Sequence, residues 1–587
     1  MSEPFEDSRR LTGANLYFDA PGAALETAPG LSFDYATLQR WRGNIERVRQ
    51  TLGWPHGPVT VRAHASGASL AFAAPIDQLY AATEANEWAW HAALGLRAGD
   101  APVDEDAESP RPHVAHFDDE EALRQLAVLA RDEAKPALLD VLQTARSHDL
   151  PAHADDEALS IGEGEGAQTW PMAALPDAGD IPWPRLHGIP KAVVTGSNGK
   201  TTTVRLLAAM LRAHGLRAGY SSTDGLFIDG ERVEAGDYSG PVGARTVLRD
   251  PRVQAAVLET ARGGLLRRGL VADDARVAVV TNVSPDHFGE YGIHDLDDLA
   301  AVKLTVAKAL ARDGLLALNA DDPILVTHAP KERRLGWFAL DLATAGARGL
   351  PTCGVRANHL VLATEAGEHD LGEVAAMPLA MGGAARYNIA NIAAASLAAH
   401  ALGIAPDAIA GVLARFGSRN ADNPGRLQRW SLGGVRVLLD YAHNADGLRG
   451  LLAVAAGLRD GGRLGLLLGH AGNRLEADFH ALAQAAMEAA PDRVWLKDIG
   501  GDYLRGRASG EVAGILREAL HAAGMPLEAL PVCLDEALAT RQALAWARDG
   551  DLLVLPVHEP ARRDDVVALL DRLQADGWRA GEPLPEA

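Results

Sequence analysis

The chain has 587 residues, 47% hydrophobic and 23% charged, with two cysteines and a formal net charge of −22. At about 150 residues per domain this length predicts three or four units, and two cysteines exclude a disulfide framework or a cysteine-rich zinc site. The acidic balance excludes a general nucleic-acid binder, which needs clustered Lys and Arg, and the absence of any apolar run of about 18 residues excludes a membrane span.

The opening MSEPFEDSRRLTG is acidic and polar where a secretory leader needs a basic start and an apolar stretch, so the expected location is the cytoplasm. Strand-like runs VTVRAHA and SLAFAA then alternate with the helical pattern ATEANEWAWHAALGL, and Asp118 to about Ala145 reads as one or two charged amphipathic helices. Residues 1–165 are therefore expected to form an α+β domain. IGEGEG, PDAGD and IPWPRLHGIP shift the texture to Gly, Pro, Asp and Glu, which predicts a linker over 166–188.

From Lys191 short buried strands (KAVVTG, LRAGYSS, AAVLET, VAVVTNV, GLLALN) alternate with helices. That texture predicts a parallel sheet covered on both faces, an α/β P-loop ATPase domain over 189–422. VRVLLDYA, RLGLLLGH, RVWLKD and DLLVLPV repeat it over 423–587, as expected of a smaller Rossmann-like domain.

The first strand of the central unit runs into TGSNGKTTT. A Walker loop separates its two glycines by four residues, whereas Gly196 lies three before Gly199 and Val194 takes the usual place. The physical parts survive: turn and helix N–H groups can cradle phosphate, Lys200 can reach the outer phosphates, and the Thr201 hydroxyl can bind Mg²⁺. A glycine turn capped by threonine is the bland alternative. Glu259 ends a later strand, where ligands bind in open parallel sheets, although alone it reads as a helix-start acid. TNVSPDHFGEYG supplies Asn282, Asp286 and His287 at the end of the next strand. Successive strands ending in oxygen and imidazole donors point to a hard-metal site.

TGSNGKTTT resembles the Mur ligase superfamily, ATP-dependent ligases that make peptide bonds through acyl phosphates. The resemblance implies that Lys200 and Thr201 serve ATP and magnesium, with Gly196, Ser197, Asn198, Gly199 and Thr202 completing the cradle. It implies that Glu259 and His287 bind a second Mg²⁺. Lys303, in DLAAVKLTVAKAL, would be the carbamylated lysine many members carry, with Lys308 in reserve; by itself Lys303 reads as a surface lysine. Asn319 and Asp322 in LNADDP, with Asn388 and Asn391 in ARYNIANIAAA, would continue ATP recognition, although Tyr387 stands where the family usually has histidine. Arg426 in DNPGRLQRW resembles the hinge arginine, and Asp440, followed by Tyr441, His443 and Asn444, the aspartate that touches ATP.

YSSTDGLFIDG, GPVGARTVLRDP, ETARGGLLRRGL, DYAHNADGL and YLRGRASGE are similar to the Mur-like half of cyanophycin synthetases more than to peptidoglycan or folate ligases. RRLTGANLYFD resembles the opening of those synthetases. The ATP-grasp domain that the comparison implies between Trp170 and Ile189 is missing, so only the amide-forming site of the Mur-like half is expected. Candidate substrate contacts are Asp237, Ser239, Arg245, Arg262, His443, His470, Asn473, Arg474, Lys497, Asp498, Arg505 and Arg507, each of which can equally be a solvated charge. GHAGNR departs from the family's PGDRRDE-like stretch, which leaves the amine open. The expected function is ADP-forming ligation of an amino-acid amine to an acidic peptide or small carboxylate, with a separate ATP-grasp synthetase as partner and a homo-oligomeric assembly by analogy. A partner-recruiting module with weak ATPase activity, and a folate or peptidoglycan-type ligase, are the alternatives.

Overall fold

The computed structural model describes residues 3–96, 114 and 118–585. Four antiparallel strands open the chain, Phe5–Leu11, Gly22–Thr27, Val59–His64 and Gly67–Ala73, paired in the order first, second, fourth, third. Helices Tyr35–Leu52, Leu79–Leu94 and Asp119–Glu133 close a core around Trp41, Phe72, Trp88 and Trp90. Local chemistry sets the helix ends. Asp34 accepts from the Thr37 amide at 2.8 Å, and Gly53 leaves helix Tyr35–Leu52 in the left-handed conformation. The charged stretch after Asp118 forms two helices, Asp119–Glu133 and Pro136–Ser147.

Residues 166–188, expected as a linker, are folded. Gln168–Pro171 pairs with Ala158–Ile161, which pairs with Ala152–Ala154, and Met172, Ile181 and Leu186 bury themselves against Leu138, Val141 and Leu159. The glycines that read as flexibility permit close approach instead: a Cβ at Gly166 would stand 2.5 Å from the His187 carbonyl. Buried Glu163 takes Lys191 Nζ at 2.5 Å and His153 Nε2 at 2.9 Å, fastening this layer to the first central strand.

Eleven strands make the central sheet. Parallel pairing runs through Ala218–Ser222, Ala255–Glu259, Lys191–Thr195, Ala275–Val280, Leu310–Asn319, Arg334–Phe338 and Thr352–Arg356, and antiparallel hairpins extend both edges. The chain adds strands to one side of Lys191–Thr195 and then to the other, so the sheet reverses direction beside that strand, where open α/β sheets bind ligands. The inner strands Lys191–Thr195, Ala255–Glu259 and Ala275–Val280 are largely apolar and buried on both faces, which is why they read as Val/Ala/Leu runs, whereas the edge strand Glu231–Glu234 is exposed.

The last unit is a five-stranded sheet in the order Gln428–Leu432, Val435–Asp440, Leu552–Pro556, Leu464–Leu468, Arg493–Leu496, parallel except for its first pair. An ionic knot joins it to the central sheet. Buried Asp224 receives Arg205 at 2.8 Å, Arg563 at 2.7 Å and Arg426 at 3.4 Å, from the central helix, the last helix and the segment between the sheets. Among the described residues no helix is long and apolar enough to cross a membrane.

Candidate active site

Six neighbouring strands of the central sheet, from Ala218–Ser222 across to Arg334–Phe338, deliver their C-terminal ends to one cleft of about 500 Å³, whose opposite wall comes from the last sheet. The phosphate loop occupies the middle. Gly196 and Gly199 have φ of 146° and 86°. A Cβ on Gly196 would meet Thr281 Oγ1 at 1.8 Å, and one on Gly199 would meet Asn391 Oδ1 at 2.1 Å. Both positions therefore require glycine, and the loop is a cradle that a side chain would fill. Lys200 opens helix Lys200–Ala213, and its ammonium donates to the carbonyls of Gly196 and Ser197 at 3.1 and 3.2 Å.

Several predicted contacts build the loop. Asn282 Oδ1 accepts from the Asn198 amide at 2.9 Å while its Nδ2 donates to the Asn198 carbonyl at 3.1 Å. Ser197 exchanges hydrogen bonds with Ser284, and Asn319 holds the Thr281 carbonyl at 3.0 Å. Thr202 accepts from Asn423 at 3.2 Å. Asn388 donates to the Leu379 carbonyl, accepts from Asn391, and so sets the edge of the cleft beside Gly199. Asp322 caps helix Pro323–His328 and accepts from the Val283 amide at 2.7 Å. Thr201 donates to Glu259 at 2.9 Å, and Thr223 donates to the other oxygen of the same buried carboxylate at 2.7 Å.

Beyond the loop lies a second polar group. His287, at φ 57°, is half-buried, and desolvation first, then Arg474 and Arg262, push its imidazole down to about 2 against the pull of Asp286, leaving it neutral. Its Nε2 accepts from Arg474 at 2.8 Å and its Nδ1 has no partner. Against the cost of burial, Asp286 is held well below the carboxylate range by its contact with His443 and by the charge of Arg474, 3.3 Å away. Arg262 donates to the His287 carbonyl at 2.9 Å and to Glu290, which also takes Asn473 at 2.8 Å. Lys303 stands at the end of helix Leu296–Leu304, and burial, reinforced by Lys200 and Arg262, drives its amine well below the ordinary lysine value. The reserve candidate Lys308 faces away, donating to the Asn15 carbonyl and pairing with Asp19, both at 2.8 Å.

From the last sheet, Arg426 lies 4.4 Å over the Tyr441 ring and 3.4 Å from the Thr201 hydroxyl. Asp440 accepts from the Leu427 amide at 2.7 Å, and burial raises its carboxyl despite Arg426. Asn444 caps helix Ala445–Leu458 and donates to Asn198 at 3.1 Å, closing the cleft directly over the phosphate loop. His443 stands 3.7 Å from Asp286.

Other expected substrate contacts lie elsewhere. Arg245 pairs with Asp155 at 3.2 Å, Lys497 is sealed against Glu536 and His558, and Arg505 is exposed on a turn. Arg507 holds the Gly472 carbonyl, and His470 is buried edge-on to Phe479. Asp498 anchors helix Glu511–Ala522 through the Gly510 amide at 2.7 Å but keeps one buried oxygen unpartnered. Asp237 accepts from Ser239 at the cleft's outer rim. Sequence reasoning missed Asp224, Arg205 and Arg563, whose only signal was charge inside otherwise apolar stretches. It also gave no role to Tyr387, whose buried hydroxyl is unpartnered on the cleft wall.

The Mur ligase middle domain matches residues 194–399 and the Mur ligase glutamate ligase domain residues 425–556. A cyanophycin synthetase of Synechocystis is 37% identical over 389 residues, 62% of this chain and 42% of that protein, so the chain spans less than half the length of that relative. The UDP-N-acetylmuramoyl-L-alanyl-D-glutamate–2,6-diaminopimelate ligase of Xanthomonas campestris is 33% identical over 64% of this chain and 74% of its own. A solved folylpolyglutamate synthase/dihydrofolate synthase of Yersinia pestis is 20% identical, with a TM-score of 0.48, over 65% of this chain and 89% of that one.

Proposed function

The chain belongs to the Mur ligase family, and from that premise we propose that it couples ATP cleavage to formation of one amide bond between an acidic carboxylate and an amino-acid amine. The observation that carries this reading is the single cleft in which the phosphate cradle, Lys200 and Glu259 of the central sheet face Arg426 and Asp440 of the last sheet.

The substrate carboxylate oxygen attacks the γ-phosphorus of ATP and ADP leaves; the amine nitrogen then attacks the acyl carbon, phosphate leaves and one proton is lost. Lys200 and the amides of residues 197–201 face the transferring group and offset its charge. Lys200 is released for this by exchanging the Gly196 and Ser197 carbonyls for phosphate oxygens. Arg426 and Asn444 bring the second sheet onto the nucleotide and exclude water.

The donor set fits Mg²⁺: a carboxylate and a hydroxyl already aligned in Glu259 and Thr201, and an imidazole kept unprotonated at His287. When bound, the ion would neutralise charge on the phosphates. Ligation by His287 requires Arg474 to swing off Nε2. Lys303, whose amine burial holds well below the ordinary lysine value and which has no ion-pair partner among the described residues, is suited to react with CO₂ and present a carbamate to a second ion. Resemblance to cyanophycin synthetases favours a cyanophycin-like or other acidic peptide as acceptor, with the amine left open by the GHAGNR stretch.

ADP release screened over amino acids and short aspartate-containing peptides tests the proposal. Release that needs both a carboxylate and an amine supports it; release indifferent to every pair overturns it.

A further inference from the structure

The N-terminal sheet reaches the elements that flank the cleft. Arg9 Nε donates to the Leu266 carbonyl at 2.8 Å, on the helix that carries Arg262. Its guanidinium lies 4.8 Å from the centroid of Tyr291. Arg62 donates to the Gly292 carbonyl at 3.0 Å and pairs with Asp298, which also accepts from the His294 amide at 2.9 Å. Ser66 bridges His64 at 3.1 Å and His294 at 2.9 Å. The loop so gripped holds Asp286 and His287 at one end and, after Asp295 caps it, becomes the helix that ends in Lys303.

Within itself that loop is tied by two backbone bonds, Gly289 N–H to the Ile293 carbonyl at 2.8 Å and Ile293 N–H to the Glu290 carbonyl at 3.1 Å. His287, Gly289, Tyr291 and Gly292 all have φ between 54° and 89°, a conformation that non-glycine residues keep only where the surroundings impose it. At the Gly292 end the surroundings are the N-terminal strand Val59–His64, where a Cβ on Gly292 would stand 2.4 Å from the His64 ring, while Arg262 and Arg474 hold the His287 end.

We propose that the N-terminal domain is a brace for the catalytic loop, and that Arg62 and Ser66 are positioning residues that set Asp286, His287 and Lys303 for the ligase reaction. This rests on the assignment of those three side chains to the reaction.

The test compares Arg62→Ala and Ser66→Ala in the full chain by hydrogen exchange and by ADP formation against Mg²⁺ concentration. In Arg62→Ala, exchange of residues 284–304 rises about tenfold while residues 196–207 are unchanged. Turnover falls about tenfold and half-saturating Mg²⁺ rises, with KM for ATP within about twofold. Ser66→Ala, which leaves the strand intact, moves the same quantities less. Unchanged exchange over 284–304 in both variants, or a rise shared by the whole chain, overturns the brace. His287→Ala separates the two readings: if it leaves the Mg²⁺ dependence untouched, the role of the loop fails, while the exchange result still judges the brace.

Discussion

Lys303 and Lys497 are buried to the same degree, 3% and 0% exposed, one beside the central sheet and one beside the last. Their surroundings differ. Lys497 donates to Glu536 and, at 3.0 Å, to His558, whose far nitrogen holds the Ala442 carbonyl at 3.0 Å. Lys303 has no carboxylate within ion-pair distance among the described residues and faces Lys200 and Arg262 instead. Burial alone does not decide what a lysine does. A matched anion makes it a rivet; without one, burial first and then the neighbouring cations draw its pKa down.

That contrast can be broken by experiment. Lys200→Ala sets the scale: turnover should fall about a thousandfold, as for loss of a preorganised charge donor, with the melting curve retained. Lys303→Ala should cost about a hundredfold or more in ADP formation with little loss of stability, since no ion pair is broken, and bicarbonate-free buffer should depress the unaltered chain reversibly. Lys497→Met should do the opposite, lowering unfolding free energy by about 3–5 kcal/mol because Glu536 is left buried and unpaired. Equal stability losses in the two variants would remove the distinction.

Acid sharpens the same comparison. Burial first, then Lys497, hold His558 down to about 4, so it stays neutral in the fold while the unfolded chain binds a proton near 6.5. Its contribution is complete above that value and drains as pH falls to about 4, a loss on the order of 3 kcal/mol. Glu536, also held low, adds to it in the same direction. Denaturant titrations at pH 7 and pH 4 should show the difference, reduced in His558→Gln. Gly199→Ala should raise KM for ATP by about tenfold or more, since the φ of 86° alone costs about 1–2 kcal/mol and the added Cβ must also displace Asn391.

What the sequence made legible was local. TGSNGKTTT is a contiguous motif, and Glu259 stands at a strand end that hydrophobic patterning can mark, whereas His287 lies in the loop beyond strand Ala275–Val280. Lys497 and Arg245 could not be sorted that way, because their partners Glu536 and Asp155 lie 39 and 90 residues away, and a charge becomes structural only when its partner is known. The stretch 166–188 misled for a related reason. Glycine signals a loop by composition, yet at Gly166 it marks a place where two backbones touch.

The approach of Gly292 to the His64 ring has a consequence for recombination. A residue in one module forbids a side chain in another, so the two cannot be shuffled as interchangeable parts. A chimaera that grafts a foreign N-terminal module onto this ligase body inherits a compatibility rule at a single pair of positions, and breeding such hybrids for new substrates will succeed first where that pair travels together.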